Sequence, residues 1–528
     1  MRRSIAVVLT VCGCLSMACA ASARVLLVGT YHGIRGQFKS IQAAVNAAHS
    51  GDWILIGPGD YKTTSSHAPR GHADRPAAVL ITKPGLHLRG MNRNAATIDG
   101  TKPGSARCSH RASAQNYGPR GKGGALGLNG IIVWKADNVS VQNLTVCNFL
   151  HGAGHSGNGI WWNGGDGSGK IGGRGFTGSY LTATSTFFST EKTAATYGIF
   201  SSNWNGGRWA WTYASNFSDS GYYVGACQDR CFQTIDHAWA QYNALGYSGT
   251  NSGGPLLIEN SQFDHNQDGF DTNSQNNSDW PSPQSGRCPI GVKPAIAGAH
   301  SCWIFYNNFV HDNNNPNLPS AGAAAAGPVG TGMSIEGRDD TVIHNRFVNN
   351  GAWGVVLEPY PDTETPPSNA IPCVGGTTNF SFLGISIGCL YGDWNNRLVG
   401  NTFAHNGFFG NPTNGDVAES IFTPGHPINC YSANTDTGGK LTSSPSNLQA
   451  TNAGCGTIAS APDQNLPFVF QALCDTQVFG KGTPCLAGAH YPRRTQVVMH
   501  PLPKGLRKMP NPCAGVPANP WCAKSGHR

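Results

Sequence analysis

Residues 261–274 read SQFDHNQDGFDTNS. An aromatic residue is followed by Asn, then Gly, then a short β-prone run. NFSDSGYYVG from Asn216, QYNALGYSGT from Gln241 and NRFVNNGAWGVVLEP from Asn345 have the same form. Phe217, Ala240 and Phe263 mark similar points about 23 residues apart. NLTVCNF near Asn143, TSTFFST near Thr184, NNFVHDNN near Asn307 and NTFAHNG near Asn401 extend the series in both directions. A period of roughly 20–25 residues with short strands and Asn/Gly turns indicates a stacked solenoid. Each unit then packs only on its neighbours, so a long chain need not split into several domains. A leucine-rich repeat is excluded by the missing LxxLxL pattern. The fold expected is all-β, a parallel β-helix.

Stacked coils turn equivalent positions into columns, and alternation along a strand decides which columns face inward. After the glycine, Ile160, Ile199, Tyr222, Tyr247, Phe270, Met333 and Val355 form an apolar column that should face the core. The next column, Trp161, Phe200, Tyr223, Ser248, Asp271, Ser334 and Val356, should face outward. Two residues further, Asn163, Ser202, Gly225, Thr250, Asn273, Glu336 and Glu358 should do the same. An exposed aromatic run (Trp161, Phe200, Tyr223) is therefore expected beside an acidic cluster (Asp271, Glu336, Glu358). Rings next to paired carboxylates suit a sugar-binding groove. Carboxyls one coil apart, about 4.8 Å, should raise one another's pKa. Arg338 lies close in sequence to steady an anionic substrate. Asp264 and Asp268 should flank a turn, with Asn266 in it and Gly269 permitting the bend. His311 and Asp312 are read as the equivalent of Asn266. Asn residues at successive turns should stack into a ladder.

The segment SIQAAVNAAHSGDWILIGPGDY (40–61) resembles the N-terminal opening of the right-handed parallel β-helix proteins, the pectin lyase-like superfamily. LITKPGLHLRGMNRNAATIDG (80–100) continues in that style. The resemblance covers about residues 25–420. It implies that Ile41–Ala48 form a helix capping the open end of the solenoid and that Trp53–Ile56 start the first coil. The fold hosts lyases, hydrolases, esterases, tailspikes and proteins without activity, so it does not imply an activity by itself. The DGFD tetrapeptide resembles the DGxD calcium-binding stretch of one pectate lyase family. Carried over, Asp268 and Asp271, with Asp264 as a third, would bind Ca²⁺ through oxygen. The lysine base of that family has no counterpart here. The polygalacturonase and pectin methylesterase motifs are missing. DGFD also resembles the YGFDPH stretch of alginate epimerases, with Thr272-Asn273 in place of Pro-His.

The first residues, MRRSIAVVLTVCGCLSMACAASA, read as a secretory signal over 1–23, too short for a membrane span. Removing Cys12, Cys14 and Cys19 with it leaves 14 of 17 cysteines, an even number that points to disulfides in a secreted protein. The net charge of +8 becomes +6 without Arg2 and Arg3, a mild excess suited to an acidic polymer. There is no basic block or nucleic-acid motif, and six methionines exclude a soft-metal box. Insertions at 275–301, 314–330 and 359–392 border the acidic stretch, and residues 421–528 read as a Cys-, Pro- and Gly-rich cap or tail. Inserted loops on a solenoid tend to build its binding face. The expectation is a secreted β-helix that binds, and as a lyase or glycosidase cleaves, an acidic polysaccharide along its outer groove. The rival is a non-catalytic adhesive or structural β-helix. Oligomeric state is open.

Overall fold

A computed structural model describes residues 23–275, 284–362, 373, 376–382, 385–476, 488–503 and 505–522. The signal segment lies outside the described residues. Three long parallel sheets of 12, 11 and 11 strands run side by side along the chain. Each coil visits them in turn: Trp53–Ile56 in the first sheet, Gly59–Lys62 in the second, Ala77–Ile81 in the third, then His87–Gly90 back in the first. The architecture is the right-handed parallel β-helix that the resemblance implied, with one continuous apolar interior. Val25–Val28 precedes Trp53–Ile56 and pairs with it, so the solenoid starts one strand earlier than expected.

The helix Ile41–Ala47 caps this end, with the Ser40 hydroxyl accepting from Ala43 N at 3.1 Å. Ile41, Ala44 and Val45 cover the end of the core, where an open edge would otherwise invite strand pairing.

Two corners of each coil are made by single residues in the left-handed region, mostly Asn and His. His265 (φ 55°) joins the second sheet to the third, as do Asp312 (φ 55°) and Asn349 (φ 58°). Inside this corner Asn243, Asn266, Asn313, Asn350 and Asn406 form a ladder, each side chain donating to the next at 3.0–3.2 Å. A second ladder, Asn308, Asn345, Asn401 and Asn434, lines the other corner. Asp264 and Asp268 flank the turn containing Asn266, as expected. The equivalent of Asn266 in the next coil is Asn313, whereas His311 is the strand partner of Asp264. Phe217 is likewise displaced: Ala214 is the partner of Ala240. Corner residues repeat as regularly as strand residues, so spacing alone slips by two or three positions. Gly269 is required by close approach, since a Cβ there would stand 2.4 Å from the Gly332 carbonyl oxygen.

The solenoid continues beyond position 420 with Cys430–Ser432, Thr435–Asp436 and Ser443–Ser444, strands too short to leave a pattern in sequence. The helix Leu466–Thr476 then packs Phe468 and Ala472 on Trp353, Val356 and Ala418. From 488 onward the chain runs back along the outside as a strap. It binds Asn317 through Val498 N (2.8 Å), Asn216 through His500, and Asn143 through Met509 N (3.3 Å). It ends with Trp521 packed against Leu27, Leu55 and Met91 of the opening coils. Among the described residues six disulfides join 108–147, 227–231, 288–302, 373–389, 430–455 and 513–522, the chemistry of an oxidising compartment. Among the described residues no helix is long and apolar enough to cross a membrane.

Candidate active site on the third sheet

The register of the third sheet matches the column expected from sequence. Trp161, Phe200, Tyr223, Ser248, Asp271, Ser334 and Val356 are successive partners. Its outer face is covered at both ends. At the N-terminal end Trp161, Phe200 and Tyr223 pack with Ala77 and Ile132, and each is under 10% exposed. Trp161 and Phe200 stack at 4.9 Å with 6° between planes, and Tyr223 meets Phe200 edge-on at 4.7 Å. Arg75 lies 5.9 Å from the Trp161 ring. The expected exposed aromatic run is thus a covered one. Strands one coil apart bring flat rings into mutual contact, which removes their faces from a ligand. At the C-terminal end the helix Leu466–Thr476 covers Trp353 and Val356.

Between these covers the face is polar. Asp268 starts the strand Asp268–Asn273 and is fully buried. Its Oδ1 accepts from Phe270 N at 3.2 Å and its Oδ2 from the Ser334 hydroxyl at 3.3 Å. Gly327, in the 314–330 insertion, closes over it, and Gln267 Nε2 donates to the Gly327 carbonyl at 2.6 Å. Asp271 is half-buried and accepts from Asn273 Nδ2 at 3.0 Å. One coil on, Glu336 is 9% exposed, and its Oε2 is buried without a hydrogen-bond partner. Glu358 follows, half-buried, with its amide donating to the Ile335 carbonyl at 3.1 Å. The first and third insertions meet beside them, where Gln275 Nε2 donates to the Tyr360 hydroxyl at 2.8 Å. All three insertions therefore border this stretch.

Burial is the main cause of every pKa shift here. It pushes Asp271 up to about 6 against the Asn273 hydrogen bond. Burial and then the Asp271 charge push Glu358 up to about 7. Glu336 is held well above the usual range by burial and by Asp271, Glu358 and Asp268. Asp268 is raised in the same way, by burial and then by Asp271. Asp393 joins them, raised well above its usual value by burial, with Glu419 and then Glu358 adding to it. Asp393 was not legible in sequence, because it follows the long third insertion and has no place in the repeat.

Two expected members stand elsewhere. Asp264 belongs to the second sheet, where it accepts from Trp239 Nε1 at 2.5 Å and Gln241 Nε2 at 2.8 Å. The corner at 265–267 turns the chain between sheets, so three aspartates close in sequence are separated in space. Arg338 turns away at the next corner. Its guanidinium lies 5.2 Å from the Trp394 ring and interacts with Asp339 and Asp229. Among the described residues the only trio of ligating atoms within 4.8 Å is Asp99, Cys108 and Cys147. The two cysteines there are disulfide-bonded and Asp99 is paired with Lys62, so it is no metal site.

No family model matches the chain, and no curated protein matches it. Among solved structures it is similar to the A-module of the mannuronan C-5 epimerase AlgE6 of Azotobacter vinelandii, with 13% identity over 75% of this chain and 88% of that one, at a TM-score of 0.43. An alginate lyase from Paenibacillus sp. shares 13% identity over 63% of this chain and 91% of its own, at a TM-score of 0.35. Pectate lyase Pel9A shares 14% identity over 78% and 77%, at a TM-score of 0.36. These likenesses are of fold.

Proposed function

We propose that this protein cleaves a glycosidic bond of a polysaccharide bound across the outer face of the third sheet. The observation that supports the reading is the set of carboxyls between the two covers, whose environments separate their protonation states. Asp271 is raised to about 6 and Glu336 is held well above the usual carboxylate range, an ordering that suits Asp271 as the base and Glu336 as the acid of acid–base cleavage. Glu336 donates its proton to the departing glycosidic oxygen while Asp271 takes a proton from the attacking water. Asn273 holds the Asp271 carboxylate in place; after cleavage Asp271 releases its new proton to solvent and Glu336 regains one from it, which restores the starting state. Asp271 is paired with Ser334, and Glu336 lies two residues beyond Ser334. Their Cα atoms are therefore roughly 8 Å apart from strand spacing and rise. Burial raises every carboxyl of the cluster, which favours their neutral forms and so reduces the negative charge that an acidic sugar would meet.

A second reading, calcium-assisted elimination from a uronate, is favoured by the unpartnered Glu336 Oε2 among the oxygen-only donors Asp268, Asp271, Glu336 and Glu358, which would have to draw together around the ion, since no three of their ligand atoms lie within 4.8 Å of one another. Asp271, Glu336 and Glu358, with Asp268, would hold such an ion, which would supply Lewis acidity towards a uronate substrate. Asp264 has no part in it. The test is incubation with pectate, alginate and neutral glucans, with Ca²⁺ or with chelator, following reducing ends and ultraviolet absorbance together. Reducing ends without absorbance support hydrolysis. Absorbance that the chelator abolishes supports elimination, and neither signal on any polymer removes both readings.

A further inference from the structure

The second sheet carries a surface with its own ligand chemistry. The C-terminal strap covers this sheet only as far as Asn216 and Tyr242, whose ring stacks on His500 at 3.8 Å. Beyond the strap, Trp239, Gln262, Phe309 and Arg346 are successive partners in one outward column. The first three are half-buried and Arg346 is exposed. Trp239 and Phe309 are two strands apart, roughly 10 Å. Arg346 extends its guanidinium over the Phe309 ring at 4.4 Å, and His311 stacks on the same ring at 3.9 Å.

The carboxylates near this column are all engaged. Asp264, 1% exposed, takes hydrogen bonds from Trp239, Gln241, Gln262 (2.9 Å) and the His265 ring (2.6 Å). It thereby fixes the Trp239 indole and the Gln262 amide in one orientation. Asp312 is taken by His311 at 2.7 Å and by Asn349. Among the described residues no carboxylate pairs with Arg346. The free charge offered at the surface is therefore cationic, set among two rings and an amide. The Trp239 ring is offered to the apolar side of a sugar unit, the Gln262 amide oxygen accepts from hydroxyls, and the Arg346 guanidinium, carried on the Phe309 ring, pairs with a carboxylate in two-point fashion.

We infer that the outer face of the second sheet, from Trp239 to Arg346, is a non-catalytic docking strip for an acidic polysaccharide, separate from the carboxylate cluster of the third sheet. It stands on its own residues and does not depend on which cleavage chemistry the third sheet performs. The strip holds long polymer against the molecule, so it matters for polymers and not for short oligosaccharides.

The test is affinity electrophoresis of the full chain through gels containing polygalacturonate, alginate or a neutral glucan, with duplex DNA as competitor. Uronate gels are expected to retard the protein at low salt, and the losses caused by the strip variants below should be the same in an Asp271→Asn background, which separates this site from the catalytic one. Arg346→Gln, at an exposed position, should weaken retardation at least 5-fold. Phe309→Ala, checked for an unchanged unfolding midpoint, should do the same. Equal retardation of wild type and both variants, equal binding to neutral glucan, or displacement by DNA as effective as by uronate would each overturn the proposal. So would a lack of retardation in any gel.

Discussion

Asp271 stands two coils before Glu358 on one outer face, and after burial its charge is what holds the Glu358 carboxyl at about 7. The same charge is the first electrostatic influence on Glu336 and Asp268. Replacing it should therefore change two things together. Asp271→Asn should lower cleavage by roughly 10²–10⁴-fold, the usual loss of a general base. It should also let Glu358 and Glu336 ionise at lower pH, visible as shifted carboxyl resonances in a ¹³C titration. Retention of more than a tenth of the activity would take Asp271 out of the mechanism.

Acidity should stabilise the fold. Asp271 and Asp416 are raised to about 6, and Glu358 and Glu419 to about 7, all mainly by burial. Between their unfolded values near 4 and these folded values the native chain binds more protons than the unfolded one. Stability is then present at the acidic end of the window and is lost as pH rises through 6 to 7. Asp52 and Asp312 are lowered and act in the opposite sense, losing their contribution only on acidification below about pH 4. The urea midpoint should accordingly be highest near pH 5 and fall towards pH 7.5. A midpoint that rises steadily to pH 7.5 would show that the cluster is ionised in the native state.

Arg338 should matter for folding and not for turnover. It lies over Trp394 with Asp339 and Asp229 around it, and burial pushes Asp229 up to about 6 even so. Arg338→Ala removes the guanidinium from over Trp394 and one cation near Asp229, while Asp339 keeps Arg287 at 3.0 Å, at a cost of about 1–2 kcal/mol. The denaturation midpoint should drop while KM for any cleaved polymer stays within twofold. A raised KM with unchanged stability would return Arg338 to the substrate.

The solenoid was legible because inward residues repeat. Phe263, Phe270 and their counterparts obey period two, and the third-sheet register followed from them without error. Glu336 and Glu358 were legible for the same reason. Corners and covers were not. His265 and Asp312 carry the same left-handed turn with different side chains, so letter matching placed His311 where Asn313 belongs. Trp161 looked exposed because alternation reports the face and not what lies over it, and Arg75 lies over it. Arg338 and Asp393 sit outside the strands, where no periodicity fixes direction.

The Asn ladders should be costly to interrupt. Asn345 donates from Nδ2 to the Phe305 carbonyl at 2.8 Å and to Asn401 Oδ1 at 3.0 Å, while its own Oδ1 accepts from Asn308. Asn345→Ala strands buried groups on both neighbouring coils, each worth about 1–3 kcal/mol. A loss of several kcal/mol is expected by chemical denaturation. A loss below 1 kcal/mol would mean that water replaces the ladder.

The strap should tie the two ends of the solenoid thermodynamically. Its contacts run from Glu191, paired with Arg494 at 2.7 Å, to the Ile34 carbonyl, which accepts from Trp521 Nε1 at 3.0 Å. Between them Arg93 donates to the Arg507 carbonyl at 3.0 Å and Arg89 to the Ala514 carbonyl at 2.7 Å. Trp521 covers Leu27 and Leu55, which face outward from the first sheet and have no coil of their own to cover them. Trp521→Ala should cost about 3 kcal/mol by the usual loss for a buried aromatic. Removing residues 488–528 should go further and open the strands Val25–Val28 and Trp53–Ile56 to hydrogen exchange, although the cut lies at the opposite end of the sequence. The carboxylate cluster should keep its activity at temperatures where the shortened chain remains folded, because Asp271 and Glu336 are held by their own coils. Unchanged protection of the opening strands would show that the helix Ile41–Ala47 seals that end without help from the strap.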